Sequence, residues 1–188
     1  MTSTKRRVVF GLGSNLGERV PLVLSGARAL ATWAGACGVR LSPLYETVPV
    51  GGPPQDDFIN AAISFQTALP ARTLLTLALS IEQEHGRIRI ERDGPRTLDI
   101  DLLWISGEVI DEPGLHVPHP RLMERAFALR PLLDVEPRAL DPRTGGLMAE
   151  SLSVLSMSGL RLHARECVPL PPYDAEGAAV WVRQEPLG

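Results

Sequence analysis

In the run Leu98-Asp-Ile-Asp-Leu102, apolar and acidic residues alternate one for one. Residues two apart on a β-strand share a face. The segment therefore predicts a strand in which Leu98, Ile100 and Leu102 pack inward while Asp99 and Asp101 stand side by side. Adjacent carboxylates repel unless a cation neutralises them, and hard oxygen ligands suit Mg²⁺. Just upstream lie Arg87, Arg89, Arg92 and Arg96. Guanidiniums crowded into one loop need something strongly anionic among them. A magnesium-bound polyphosphate meets both requirements, so residues 87–101 read as a phosphate-transfer site. Gly94-Pro95 fixes the backbone before Arg96 and aims it at the acids, while Arg87 belongs to the end of the preceding helix. The intervening loop reads as a lid whose arginines arrive on closure.

Hydrophobic periodicity supplies the frame around that strand. Residues 7–12 read as a first strand, and Val20, Leu24, Ala27, Leu30 and Ala31 recur at helical spacing. Residues 39–47 read as a second strand with Pro43 near an edge. Residues 48–57, with three prolines and two glycines, form a loop, and residues 58–67 a third strand. Pro70 suits a helix first turn, and the helix it opens carries Leu74, Leu75, Leu77, Ala78 and Ile81 to about His85. A fourth strand spans 98–105. The order β-α-β-β-α-β predicts an α+β fold with a ferredoxin-like core, an antiparallel sheet with helices packed on one face, and a C-terminal extension. Short helices are expected within 118–133, carrying His119, Arg121, Arg125 and Arg130, and over 149–157. The domain is expected to run over residues 1–165. Residues 166–188, with Pro169, Pro171, Pro172 and Pro186, read as a loosely ordered tail.

Several function classes are excluded or disfavoured. A net charge of −3 argues against a nucleic-acid binder. No run of about 18 apolar residues is present, so no membrane span is expected. The basic N-terminus lacks the apolar stretch of a signal peptide, which predicts a cytoplasmic protein. Cys37 and Cys167 fit no metal spacing and read as free thiols. Gly11 to Gly17 reads G-x-G-x-x-x-G rather than the dinucleotide fingerprint, and no lysine follows Gly17 as a P-loop requires. A nucleotide must then be held by side chains and metal.

Each candidate has a blander reading. The Asp pair alone could be a solvated strand face, and the arginines could be loop charges partnered by Glu91 and Asp93. Glu82 by itself reads as a surface residue and His119 as structural, although Arg121 and Arg125 make a second phosphate-binding cluster possible. Across the loop, Tyr45, Phe58 and Phe127 offer stacking surfaces, and Asn60 both donates and accepts, which suits a flat heterocycle. Either phenylalanine alone reads equally as core. Two rivals stand at this point: a different magnesium-dependent transferase on the same scaffold, and a regulatory module that binds nucleotide without consuming it.

Taken in order, Gly11-Leu-Gly-Ser-Asn15, Tyr45-Glu-Thr-Val-Pro-Val-Gly51, Phe58-Ile-Asn-Ala61, Ile81-Glu82, Gly86-Arg87, Gly94-Pro-Arg-Thr-Leu-Asp-Ile-Asp101, His119-Pro-Arg and Arg125-Ala-Phe127 resemble the 6-hydroxymethyl-7,8-dihydropterin pyrophosphokinase family of folate synthesis. The resemblance covers about residues 8–133. It implies transfer of pyrophosphate from ATP to the pterin hydroxymethyl group, with release of AMP. It also implies two Mg²⁺ on Asp99 and Asp101, and catalytic roles for Arg87, Arg96, Asp99 and Asp101. ATP would lie among Glu82, Arg87, Arg89, Arg96, Ile100, His119 and Arg125. The pterin would lie among Thr47, Val48, Val50, Gly51, Phe58, Asn60 and Phe127, its ring between the two phenylalanines. ATP and the pterin are the expected partners, and a monomer the expected state. Many members carry an aromatic where this chain has Asp93.

Overall fold

The computed structural model describes residues 4–87 and 94–164, together with the backbone of Val180 and Trp181. Strand β1 (Arg6–Ser14) lies inside the sheet, one strand from its edge. It is bordered on one side by β4 (Phe58–Thr67) and on the other by β5 (Asp99–Ile105), both antiparallel. β4 pairs with β1 along its whole length, from Arg6 opposite Thr67 to Ser14 opposite Ile59. The far edge of β4 is shared by β2 (Cys37–Leu41) and β3 (Leu44–Thr47).

The single strand expected over 39–47 is thus two strands, and the break has a local cause. Pro43 has no N–H for the ladder. Ser42, fully buried, accepts from the Ala62 N–H at 2.9 Å through its hydroxyl oxygen and donates its own N–H to the Ala62 carbonyl at 2.8 Å. Pairing with β4 is kept through the break while the chain direction shifts.

The helices α1 (Arg19–Trp33) and α2 (Ala71–Glu84) cover one face, as expected. Val23, Ala27, Leu30, Leu74, Ala78 and Ile81 pack there against Val8, Leu12 and the stacked pair Phe10–Phe65, whose ring centroids are 5.9 Å apart. Gly26 lets α1 sit close over Leu98, the residue before β5, since a Cβ there would stand 2.7 Å from that side chain.

The other face is covered too, which corrects the one-sided arrangement. There α3 (Ala126–Val135) and α4 (Met148–Ser153) bring Leu129, Leu132, Val135 and Met148 against Val9, Ala62, Leu103 and Trp104. A β-bulge in β5 contributes, because Phe10 pairs with Leu102 but Val9 with Trp104, leaving Leu103 as the extra residue. A sheet apolar on both faces needs a layer on each. The helix expected over 118–133 starts later, at Ala126; Pro118 and Pro120 bias the residues before them, Val117 and His119, away from helical backbone. Arg130 lies on it, whereas His119 and Arg121 precede it. The helix expected over 149–157 is shorter, ending at Ser153.

Between these elements, β6 (Ile110–Glu112) and β7 (Leu115–Val117) form a separate hairpin. The strand β8 (Leu160–Ala164) extends the sheet beside β3. The short β9 (Val180–Trp181) pairs parallel with β2. The rest of the expected tail, with Cys167, lies outside the described residues. No helix among the described residues is long and apolar enough to cross a membrane.

Tyr45, read as a stacking surface, is instead buried under α3. Its hydroxyl donates to Asp134 Oδ2 at 2.6 Å and accepts from Arg130 Nε at 3.3 Å, and Arg130 Nη2 pairs with Asp134 Oδ1 at 2.7 Å. Burial, then the bond to Asp134, pushes the phenol up to about 12. A raised folded pKa contributes stability that is fully present below pH 10 and is lost as pH rises through about 12. We expect Tyr45→Phe to lower stability at neutral pH by about 1–2 kcal/mol and to flatten the alkaline fall in melting temperature. An alkaline limb as steep as that of the parent protein would show that Tyr45 is not its source.

Candidate active site

Direct pairing places Gly11 opposite Asp101 and Gly13 opposite Asp99, so these four residues lie on one face of adjoining strands. It is the α3 face, at the end where that helix begins. Two glycines and two short acids leave a hollow there, and a cleft of about 620 Å³ opens over them. Gly13 is constrained as well as small: a Cβ would stand 2.9 Å from Asn60 Oδ1. The G-x-G spacing that failed as a nucleotide fingerprint thus has another purpose, which is to keep side chains off the cleft floor.

Every described residue that the family resemblance assigned to ATP, pterin or metal lines this one cleft. Asp99, Asp101 and Ile100 come from β5, Glu82 from α2, and Arg87 and Arg96 from the two ends of the connecting loop. His119 and Arg125 come from the segment before α3, and Phe127 from its first turn. Thr47 ends β3, Phe58 and Asn60 begin β4, and Val48, Val50 and Gly51 lie in the loop between them. Arg89 and Arg92 lie outside the described residues. Arg121, grouped with His119 in the sequence, is not among the cleft residues.

The two acids differ in their surroundings. Asp99 is flanked by both arginines: Arg87 pairs with its Oδ1, and Arg96 Nη1 meets Oδ2 at 2.7 Å. Arg87 also pairs with Glu82. Glu82 is no surface residue; it is 3% exposed, and its Oε1 accepts the Ile100 N–H at 2.8 Å. That bond ties the last turn of α2 to the middle of the acid pair. Asp101 has no hydrogen-bond or ion-pair partner among the described residues. Burial raises its pKa to about 7, with the charges of Asp99 and Glu82 pushing the same way and Arg87 and Arg125 opposing. A carboxylate short of positive charge beside a second carboxylate on the same face is a fitting place for a hard divalent cation. No group of three or more metal-ligating side chains occurs among the described residues. An ion here would need further oxygens from phosphate and water, which suits Mg²⁺.

On the opposite wall, Asn60 Nδ2 donates to Thr47 Oγ1 at 2.6 Å, and both residues are buried. Arg96 lies over the Phe58 ring at 5.7 Å and Arg125 over the Phe127 ring at 5.6 Å. Each aromatic therefore carries a guanidinium against its π-face, where the ring quadrupole attracts it. The cationic and aromatic halves of the cleft are in contact. Burial, and then the charges of Arg125 and Arg121, lower the His119 pKa, which keeps the imidazole neutral at pH 7.

Three contributors escaped sequence reasoning. Asn15, 2% exposed, accepts the Arg96 N–H at 2.8 Å and donates to Gln55 Oε1 and the Asp56 carbonyl at 2.9 and 3.1 Å. It joins the arginine loop to the loop over the aromatic wall. Leu75 and Leu79 of α2 add an apolar wall. Leu75 had read as core; Leu79, off the buried stripe and 44% exposed, carried the signal of an apolar residue facing outward.

Comparison with known proteins identifies the chain's relatives. Residues 9–137 match the family model described as 7,8-dihydro-6-hydroxymethylpterin-pyrophosphokinase. A 2-amino-4-hydroxy-6-hydroxymethyldihydropteridine pyrophosphokinase from Synechocystis is 39% identical over 137 residues, 73% of this chain and 70% of the relative. Its counterpart from Methylorubrum extorquens is 39% identical over 155 residues, 82% of this chain and 96% of the relative. Among solved structures, Plasmodium falciparum HPPK-DHPS wild type with pteroate superposes with a TM-score of 0.62 at 14% identity. The match covers 81% of this chain and 43% of that one, so the chain spans under half of that two-part protein. At that identity the likeness speaks for the fold alone.

The raised Asp101 pKa has a measurable consequence. A carboxyl whose folded pKa lies above its unfolded value takes up a proton on folding, so its unfavourable contribution appears as pH rises from 3.8 through about 7. In chelator, Asp101→Asn should raise the melting temperature above pH 7 by a few degrees, about 1 kcal/mol for a partly solvent-screened group. At pH 5 the difference should shrink. Equal melting temperatures for the two proteins at pH 8 would contradict the assigned shift.

Proposed function

This chain belongs to the 7,8-dihydro-6-hydroxymethylpterin-pyrophosphokinase family, and from that membership we propose how its cleft divides the work. The enzyme transfers pyrophosphate from ATP to the hydroxymethyl group of 6-hydroxymethyl-7,8-dihydropterin and releases AMP, a step of folate biosynthesis. The observation that supports the division of labour is the meeting of a cationic, acid-floored half and an aromatic half in one cleft.

The proposed pterin seat lies between Phe58 and Phe127, with Thr47 and Asn60 as hydrogen-bonding groups at the ring edge and Val48, Val50 and Gly51 at the rim. ATP is assigned to the side of Glu82, Arg87, Arg96, Ile100, His119 and Arg125, with Arg89 as a further contact. The hydroxymethyl oxygen forms a bond to the β-phosphorus as the bond from that phosphorus to the α,β-bridging oxygen breaks, and that oxygen leaves with AMP. Asp99 and Asp101 would hold Mg²⁺, two ions in this reading, which when bound neutralise phosphate charge and lower its repulsion of the incoming oxygen. Arg87 and Arg96 can exchange Asp99 for phosphate oxygens, which frees the carboxylate for the metal and keeps each guanidinium paired. In their new places they stabilise charge gathering on the bridging oxygen. Glu82 holds the Ile100 backbone, and with it the acids on either side, in register. Neutral His119 retains a donor for a phosphate or ribose oxygen. Rate acceleration of this kind comes from positioning and electrostatics rather than covalent catalysis. A monomeric, cytoplasmic enzyme with only small-molecule partners completes the reading.

The direct test is pterin-dependent AMP formation from ATP with and without Mg²⁺. Release of ADP would point to a different transferase, and nucleotide binding without consumption to a regulatory module. Asp101→Asn should cut turnover by roughly 10²–10³ with the fold intact; near-normal turnover at ordinary Mg²⁺ would refute the metal assignment. Arg96→Ala should lower turnover more than pterin affinity, and a selective loss of pterin binding would count against its phosphate role.

A further inference from the structure

The loop 48–57 has a neck, where Glu46 and Thr47 on β3 face Ile59 and Phe58 on β4. Two arginines from distant parts of the chain each bridge the same two residues there. Arg19, at the start of α1, sends Nη1 to Glu46 Oε1 at 3.1 Å and to the Asp57 carbonyl at 2.6 Å. Arg161, on β8, sends Nη2 to Asp57 Oδ2 at 3.0 Å and stands 3.5 Å from Glu46 Oε2. The turn before β8 adds a backbone tie, with Val48 N–H donating to the Gly159 carbonyl at 3.2 Å. Strand β8 lies beyond the 9–137 span of the family match. Neither arginine lines the cleft.

We propose that Arg19 and Arg161 are positioning residues that clasp the neck of the 48–57 loop and hold Thr47 and Phe58 in place at the pterin seat. The inference rests on the pterin assignment above. Exposed ion pairs are individually weak, and Arg161 is 66% exposed. Here, however, both arginines act on the same two residues at the neck, whereas Asn15 holds the loop farther along, at Gln55 and Asp56, and the loop's apolar side chains add little, Val48 and Val50 being 54% and 70% exposed. A loop held by few apolar contacts opens at small cost, so modest ties at its neck decide how often the pocket is formed. A neutral heterocycle gains nothing directly from two cations outside its pocket. Any effect of these arginines on pterin affinity must pass through the loop.

The test is pterin binding by fluorescence titration in the presence of Mg²⁺ and a non-hydrolysable ATP analogue, alongside KM and kcat for both substrates, on the full chain. Arg19→Ala/Arg161→Ala should weaken pterin binding by about fivefold or more, with ATP affinity and kcat within about twofold of the parent. Arg19→Lys/Arg161→Lys should recover most of the loss. Arg161→Ala alone, on a mostly exposed strand, should give about a threefold loss and covers the event that the double variant folds poorly. Unchanged pterin affinity in Arg161→Ala and the double variant, or parallel loss of ATP and pterin affinity, overturns the clasp. Parent protein that binds no pterin overturns the functional reading itself, a result distinct from a parent that binds and variants that bind equally well.

Discussion

Asp99 shared between Arg87 and Arg96 is the interaction on which the site depends. It brings the two ends of the 87–96 loop to one carboxylate on the central sheet. Through Glu82 the same contact reaches α2 and the backbone of β5. Without that compensation, three acids facing one cleft would repel one another. With it, one of them, Asp101, still has no ion-pair partner among the described residues, and its pKa is raised. A fold that concentrates negative charge at a hollow, with cations able to exchange partners, is prepared for a ligand that brings both phosphate and metal.

The layers make this possible because they do not match in extent. On one face α1 and α2 cover the sheet with a continuous core. On the other, α3 and α4 cover Val9, Ala62, Leu103 and Trp104, and leave the Gly11, Gly13, Asp99 and Asp101 end open. The β5 bulge separates those regimes: beyond it Leu103 and Trp104 serve the second core, and before it the acids face the cleft. The buried Tyr45–Arg130–Asp134 cluster ties α3 to β3, so that Phe127 at the start of the helix and Thr47 at the end of the strand flank the same opening.

The strand–helix order was legible because each element carries its own pattern: alternation in 98–102, helical spacing in 20–31 and 74–81, and proline with glycine in 48–57. The acid pair and its arginines were legible because charges at those spacings need a counter-ion whatever the fold. The split at Ser42-Pro43 was not, since a proline in an extended run does not say whether the strand ends or shifts. Nor was the second helical layer, because 126–135 shows an apolar face but not which sheet face receives it. Glu82 and Tyr45 were misjudged for a common reason. Their partners, Ile100 N–H and Asp134, are distant in sequence, and a polar side chain looks exposed until a buried partner is found.

The sequence by itself determined which residues were candidates for the chemistry, since alternation puts Asp99 and Asp101 on one face and local composition places arginines ahead of them. Only the tertiary structure decided that β3, β4, α2, β5 and α3 meet at a single cleft, that one acid is paired while its neighbour, among the described residues, is not, and that Asn15, Arg19 and Arg161 tie the loops around it. The reason is physical: periodicity and charge spacing act within a few residues, whereas burial, desolvation and hydrogen-bond partnership depend on which distant segments the sheet brings side by side.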